Sequence, residues 1–394
     1  MQREKRKYET THGWIKFELD MREVSYKLWL LLGAAESKCV HLAGIPLRPA
    51  KQEELSRLSL RRGIRATTAI EGNTLSEADI EQISNGREAG MPRSKAYQVQ
   101  EIKNMLEVYN GVALEINSGQ ACEVSARQIK ADNAVIMSGL ELQDGERPGE
   151  VRMYPVGVGN YRGAPAEDCE YLMDRLIDWL SLDWGLSSEH LVVEGILKAI
   201  TAHVYMAWIH PFGNGNGRGA RMLEYRILMN TGIPLIAAHL LTSYYNETRE
   251  EYYWNLRQSS RVRNGELAFI EYAVQGFIDG LDKEIASILE EQVNVTLENY
   301  VAEYFFNSKQ TPAQNRRREL LLEISKYERP LSANELKYRL PDRILKQYQG
   351  SVKMLSRDVN YLHQVGLMYV SEGGYIAAKD KMKAFTPLTA NLVH

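Results

Sequence analysis

The sequence predicts an all-α protein interrupted by one short β-hairpin, followed by a small basic module of three helices and a second hairpin. Three observations carry this. Apolar residues recur at helical spacing over most of the chain to about residue 308, as in Tyr171, Leu172, Leu176, Ile177 and Leu180, and again in Leu197, Ile200, Val204, Ala207 and Trp208. The stretch Val151 to Tyr161 (VRMYPVGVGNY) breaks that period with β-branched and aromatic residues around Gly157 and Gly159. Residues 309–394 carry 15 Lys/Arg against 8 Asp/Glu, a net +7, which leaves −10 for residues 1–308.

At roughly 150 residues per domain, 394 residues make two or three domains. A content of 44% apolar and 25% charged residues fits a globular chain with a large core and excludes a fibrous or disordered one. The net charge of −3 is too near zero to imply a polyanionic or membrane partner for the whole chain. Cys39, Cys122 and Cys169 lie far apart with no CxxC, so neither a disulfide framework nor a cysteine zinc site is expected. Met1 to Thr10 is basic without an apolar run behind it, and the longest apolar stretch is read around Leu28 to Ala35, far short of a membrane span. A cytoplasmic protein with no membrane partner is expected.

In chain order, residues 1–95 read as an N-terminal helical region and residues 96–308 as a helical body, with turn-rich breaks at Gly86–Arg93 and Gln143–Gly149. Val151 to Tyr161 should form a hairpin or flap. A helix should start near Pro165 to Asp168, where proline and acids favour a first turn. Ser308 to Asn315 (SKQTPAQN) is the expected boundary before a domain over 312–385. There, helices are expected over Glu319 to Tyr327, Ser332 to Leu340 (Ser332 as N-cap, Glu335 three residues on) and Ser351 to Gln364. Strands at Leu367 to Val370 and Tyr375 to Ala378 would flank Ser371-Glu372-Gly373-Gly374. This order resembles the winged helix-turn-helix fold. The resemblance implies DNA as a partner, with Lys353, Arg357, Arg343 and Lys346 meeting phosphates; a protein-binding or dimerisation role is equally open, since a basic face carries no base code.

Chemistry concentrates in Ile209 to Arg221 (IHPFGNGNGRGAR), which ends one apolar helix and leads into another read as Met222 to Asn230. The alternating Gly213, Gly215 and Gly217 let the backbone approach a ligand and turn several N–H groups one way, which at a helix N-terminus makes a phosphate site. Arg218 and Arg221, three apart, would add a clamp on phosphate oxygens. His210, fixed by Pro211 and anchored by Phe212, would stand at the mouth, where a neutral imidazole takes a proton from a hydroxyl. A Rossmann turn should follow a strand and a P-loop needs Gly-Lys-Ser/Thr; neither context is present. A glycine-rich interhelix turn without function is the plain alternative.

The whole string resembles the signature of the Fic family, His-x-Phe-x-(Asp/Glu)-Gly-Asn-Gly-Arg-x-x-Arg. The likeness extends over about residues 50 to 290: HVYMAWI (His203 to Ile209) resembles the helix before the motif, Val156-Gly157-Val158 the substrate-docking flap, and Glu251-Tyr252-Tyr253 the segment bordering the adenine. It implies an all-helical Fic fold that transfers AMP from ATP, with Mg2+, to a hydroxyl of a target protein. His210 would be the base; the amides around Gly215, Asn216 and Gly217 would hold phosphates; Arg218 and Arg221 would neutralise them; Tyr252 or Tyr253 would touch the nucleotide. The flap would pair with an extended target segment through its backbone. His203 reads as a core histidine. Asn214 stands where the family has an acid that ligates the metal; its amide oxygen brings no charge, so weaker metal binding is expected.

Thr67-Thr68-Ala69-Ile70-Glu71-Gly72-Asn73 resembles the (Ser/Thr)-x-x-x-Glu-(Gly/Asn) inhibitory motif of autoinhibited members, on a helix around residues 64–73. The resemblance implies a bidentate Glu71–Arg221 pair in the γ-phosphate position, with Thr67 on the same helical face; an ordinary Glu before a Gly72 helix stop is the alternative. Two readings of the whole follow: a self-inhibited protein adenylyltransferase, or a DNA-binding regulator whose Fic fold senses nucleotide or holds a dimer. Transfer of phosphate or phosphocholine, as in relatives with other glycine patterns, is a third. Leu240 to Tyr245 and Phe269 to Ile288 would serve self-association, though core packing explains them as well.

Overall fold

The computed structural model describes residues 5–159, 161–186, 188–308, 311–348, 351–371 and 373–383. Its helices are α1 (Tyr8–Thr11), α2 (Tyr26–Gly44), α3 (Pro49–Ile70), α4 (Glu77–Ser84), α5 (Ala96–Asn117), α6 (Ala126–Ile136), α7 (Ala166–Leu180), α8 (Leu191–Ile209), α9 (Asn216–Met229), α10 (Leu240–Glu247), α11 (Arg249–Ser259), α12 (Gly265–Phe306), α13 (Pro312–Ile324), α14 (Glu335–Arg339), α15 (Asp342–Leu345) and α16 (Val352–Gln364). Among the described residues there are also short 3-10 turns and two antiparallel hairpins, β1 (Gly157–Val158) with β2 (Tyr161–Arg162) and β3 (Met368–Ser371) with β4 (Gly374–Ala377). Two compact units divide at Glu284/Ile285.

In the first unit, local chemistry sets the helix ends. Ser25 caps α2 by accepting from the Leu28 N–H; Pro49 opens α3; Ser76 and Asp79 close a reciprocal capping box on α4; Ser125 caps α6. One core runs through Ile64, Ile80, Ile83, Ile102, Met105, Tyr109, Ile136, Met222 and Tyr225. Helices α3 and α4 therefore pack in one core with α5, α6 and α9. Gly63 lets α3 lie against the His239 ring, because a Cβ there would overlap the imidazole.

Helix α8 is the centre of this unit. By length and composition it could cross a membrane, and 83% of its most apolar window is buried inside the protein. This helix, not Leu28 to Ala35, is the long apolar stretch; its interspersed Glu194, Lys198 and His203 disguise it in the sequence. The polypeptide leaves α8 at His210 and re-enters a helix at Asn216, six residues before the expected Met222, because Gly215 (φ 76°) supplies the left-handed turn that starts α9. Leu241, Tyr245, Phe269, Ile270 and Phe277 are buried, so these stretches are spent on the core rather than left for self-association. All three cysteines are buried and unpaired.

In the second unit, Leu297, Val301 and Phe305 from α12 pack with Leu320, Leu321, Ile324, Leu336, Ile344, Val359, Leu362 and Met368. The division accordingly falls inside α12, ahead of the turn-rich stretch at 308–315, of which residues 309 and 310 lie outside the described residues, as do Glu372 and residues 384–394. Helix α13 starts at Pro312 rather than Glu319, since Thr311 caps it and proline suits a first helical position. A short α15 follows Pro341, between the second and third expected helices. Asp358 of α16 is fully buried between Arg316 (2.7 Å) and Arg317 (2.8 Å) of α13. The outer side of α16 exposes Lys353, Ser356, Arg357, Asn360 and Gln364.

Candidate active site

The loop between α8 and α9 is held by its own side chains. The Asn216 amide donates to the Phe212 carbonyl (2.8 Å) and accepts the Phe212 N–H (2.9 Å), closing a ring around the turn, while the Phe212 side chain is 1% exposed. Asn133 of α6 donates to the Asn214 carbonyl (3.0 Å) and accepts from the Gly149 N–H (2.9 Å). Helix α9 has no side-chain N-cap, so its first N–H groups, at Asn216, Gly217 and Arg218, open onto the loop side without intrahelical acceptors. Such a terminus favours an anion.

His210 closes α8 in the left-handed conformation (φ 52°, ψ 58°), rare for a residue with a side chain, and its N–H donates to the Met206 carbonyl (2.9 Å). Burial, with help from the Arg152 guanidinium, lowers its pKa to about 4, against a smaller opposite effect of Glu71, so the imidazole is neutral at physiological pH. The unfolded histidine, near 6.5, binds its proton first. Stability should therefore be full above about pH 6.5 and fall as pH drops toward 4; His239, which burial lowers to about 3, acts with the same sign. Thermal melts at pH 7 and pH 5 test this: Tm should fall at pH 5, and less so in His210→Gln, and an equal fall in both would refute the assignment to His210.

A cavity of about 860 Å³ joins these parts. His210, Gly213, Asn214, Gly215, Asn216 and Gly217 line it on one side, Val156, Gly157 and Val158 of the hairpin on another, and Tyr252 and Tyr253 of α11 on a third. The hairpin is shorter than the expected Val151 to Tyr161, with Asn160 outside the described residues; Gly157 pairs with Arg162, and Val158 with Tyr161. The Tyr252 hydroxyl meets His203 Nε2 at 2.9 Å, and His203 is wholly buried, a core histidine as its place in an apolar helix suggested.

Glu71 is the C-cap of α3, just before Gly72, and its carboxylate reaches the foot of α9. Arg221 Nη2 donates to Glu71 Oε1 at 2.6 Å, and that oxygen lies 2.5 Å from where a Cβ on Gly217 would sit, so any side chain there would push the carboxylate off this position. Burial alone would raise the Glu71 pKa, but the Arg221 guanidinium, joined by the charges of Arg218 and Arg249, holds the carboxyl below its usual range. The pair is not bidentate as expected. Thr67 takes two further Arg221 bonds, Nε to its hydroxyl (2.8 Å) and Nη2 to its carbonyl (3.0 Å).

Arg218 departs from expectation. It does not line the cavity: Nη1 donates to Glu101 Oε1 (2.6 Å) and Nη2 meets the Met137 sulfur (3.4 Å), both deep in the core, where a buried guanidinium needs an anion. Glu101 Oε2 in turn accepts from Asn73, two residues after Glu71, so Arg218 steadies the turn that carries the glutamate. Sequence reasoning missed Glu101 and also Arg152, whose role depends on contacts between segments far apart in the chain. For Mg2+ the donors do not fit: Asn214 Oδ1 accepts the Gly215 N–H (2.7 Å) and carries no charge, and no group of three or more His, Cys, Asp or Glu able to hold a metal occurs among the described residues.

A helical fold, a helix N-terminus suited to an anion and a neutral imidazole beside it make a domain of the Fic type. Residues 123–228 match the Fic/DOC family, so the chain carries a Fic domain. It is 31% identical over 192 residues to protein adenylyltransferase fic-1 of Caenorhabditis elegans, covering 48% of this chain and 34% of that one, and 28% identical over 243 residues to the Caenorhabditis briggsae protein of the same name, covering 59% and 44%. The chain thus spans less than half the length of these relatives. In fold it resembles a Fic family protein from Desulfovibrio desulfuricans G20 (TM-score 0.54, 20% identity, 88% of this chain and 91% of that one). It also resembles Fic-1 of C. elegans (TM-score 0.55, 22% identity, 66% of this chain and 72% of that one).

Proposed function

We propose that this chain is a self-inhibited protein adenylyltransferase that uses ATP to modify a Ser, Thr or Tyr hydroxyl of a target protein, itself included. The observation that carries the reading is the Glu71–Arg221 contact at 2.6 Å, lodged at the foot of α9 beside a neutral His210. The names of the relatives support the reaction type. His210 takes the hydroxyl proton, the oxygen bonds to the α-phosphorus, the bond to the α,β-bridging oxygen breaks, and pyrophosphate leaves. The first N–H groups of α9 stabilise the developing charge without reorganising. The exposed edge at Gly157 and Val158 offers backbone groups to an extended target segment, and Tyr252 and Tyr253 supply aromatic surface for the base. With Glu71 on Arg221, the space for the terminal phosphates is taken. No step is assigned to Mg2+, since the residues present do not supply its ligands.

Intact-mass spectrometry of the protein incubated with ATP tests the reaction. Addition of one AMP that disappears in His210→Ala supports transfer; binding of ATP without any addition, including in Glu71→Gly, would overturn it.

A second reading, a DNA-binding regulator whose Fic domain senses nucleotide, is favoured by one feature. The exposed side of α16 combines two cations, Lys353 and Arg357, with the amides of Asn360 and Gln364 in a shallow groove, the residue types that meet phosphates and base edges. Arg343 is instead engaged by Glu319 at 2.6 Å. On this reading, duplex DNA should bind with an affinity that falls steeply with salt, and Lys353→Ala with Arg357→Ala should flatten that salt dependence. Fluorescence anisotropy checks it, and no binding at low salt would exclude it.

A further inference from the structure

Arg152 lies just ahead of the hairpin and is 3% exposed. A buried guanidinium is ordinarily matched by a carboxylate, yet Arg152 makes no ion pair among the described residues. Its donors run to main-chain oxygens instead: Nε to His210 (2.7 Å), Nη1 to Tyr154 (2.7 Å), and Nη2 to Ala164 (2.6 Å) and, more weakly, Ile209 (3.4 Å). Its own N–H donates to the Pro211 carbonyl at 3.0 Å. Tyr154 precedes β1 and Ala164 follows β2, so one side chain holds both legs of the hairpin and the turn that carries the imidazole. The fit leaves no slack, since a Cβ on Gly163 would come within 2.9 Å of both Arg152 Nη2 and the His210 Cβ.

We propose that Arg152 is a positioning residue that fixes the β1–β2 hairpin to the His210 turn, setting the distance between a hydroxyl presented on the hairpin and the imidazole. By accepting from Arg152 at its carbonyl, His210 is kept in a backbone conformation that a side chain otherwise avoids. The same cation, together with burial, disfavours protonation of His210; Glu71 opposes it, and Arg221, Arg257, Asp144 and Glu146 are the other charged groups around the cavity. The positioning role rests on the adenylyltransferase reading only for what the hairpin presents.

The test uses Arg152→Lys and Arg152→Met with two readouts. NMR titration of the His210 imidazole, assigned by its loss in His210→Ala, needs no activity: its pKa should rise by about one pH unit in Arg152→Met and stay low in Arg152→Lys, which keeps the cation. In the Glu71→Gly background, AMP incorporation should fall about 10- to 100-fold in both variants with ATP affinity unchanged, because an ammonium cannot span four carbonyls. An unaltered His210 titration in Arg152→Met, with any loss confined to Tm, would overturn the proposal. If the Glu71→Gly parent itself adds no AMP, the transferase reading fails while the titration still decides the link from Arg152 to His210.

Discussion

Glu71→Gly is expected to raise AMP incorporation about 10- to 100-fold over the parent protein. The magnitude follows from the contact removed. A hydrogen bond to a charged group contributes about 1.5–3 kcal/mol, and each 1.4 kcal/mol is about tenfold in an equilibrium. A nucleotide whose terminal phosphates must displace the Glu71 carboxylate from Arg221 meets a penalty of that order. Glycine removes the competing charge while leaving Arg221 hydrogen-bonded to Thr67, so the guanidinium stays in place for a phosphate. Adding His210→Ala should cut the rate by about 10²–10⁴-fold, the usual contribution of a positioned base. Intact-mass time courses read both effects, and equal incorporation with and without Glu71 would show that the carboxylate is no brake.

Arg226→Leu is expected to destabilise the first unit by about 3–5 kcal/mol, the cost of stranding buried charges after removing their partner. Arg226, 3% exposed on α9, donates Nε and Nη2 to Asp132 of α6 (2.7 and 2.9 Å) and Nη1 to Glu115 of α5 (2.9 Å). Leucine fills part of the volume but leaves the buried Asp132 carboxylate, and the partly exposed Glu115, without their cation. Urea unfolding followed by circular dichroism measures the loss, and Asp132→Asn in the same chain should recover part of it by removing one stranded charge. A change below about 1 kcal/mol would mean that water reaches the carboxylates readily. The helix concerned is the one whose first turn faces the cavity, so the anion site depends on an anchor at its far end.

Much of the site was legible because its chemistry is local. Gly215 and Gly217, the helix that begins behind them, and Glu71 before Gly72 are all read from short spacings, and the structure brings the last of these to Arg221 across 150 positions of chain. The division of labour between the two arginines was not legible. Arg218 and Arg221 look equivalent by spacing, and only the position of Glu101 on α5 decides that one is spent in the core. Arg152 was invisible for a related reason: its partners are carbonyl oxygens, which every residue carries. The start of α13 was hidden by Thr311-Pro312, read as a linker although the pair equally caps a helix. The unit boundary was hidden within α12, whose apolar spacing continues past residue 284 while its packing partners change.

The ring that Asn216 closes on Phe212 bears on how such a site is governed. Because this turn is braced from within, the seat at the foot of α9 is already formed before any anion arrives. On the self-inhibited reading proposed above, control would reduce to tenancy: the Glu71 carboxylate holds a standing place, an arriving nucleotide would contest it, and the ratio of their claims on Arg221 would set a response graded with nucleotide concentration rather than a cooperative transition.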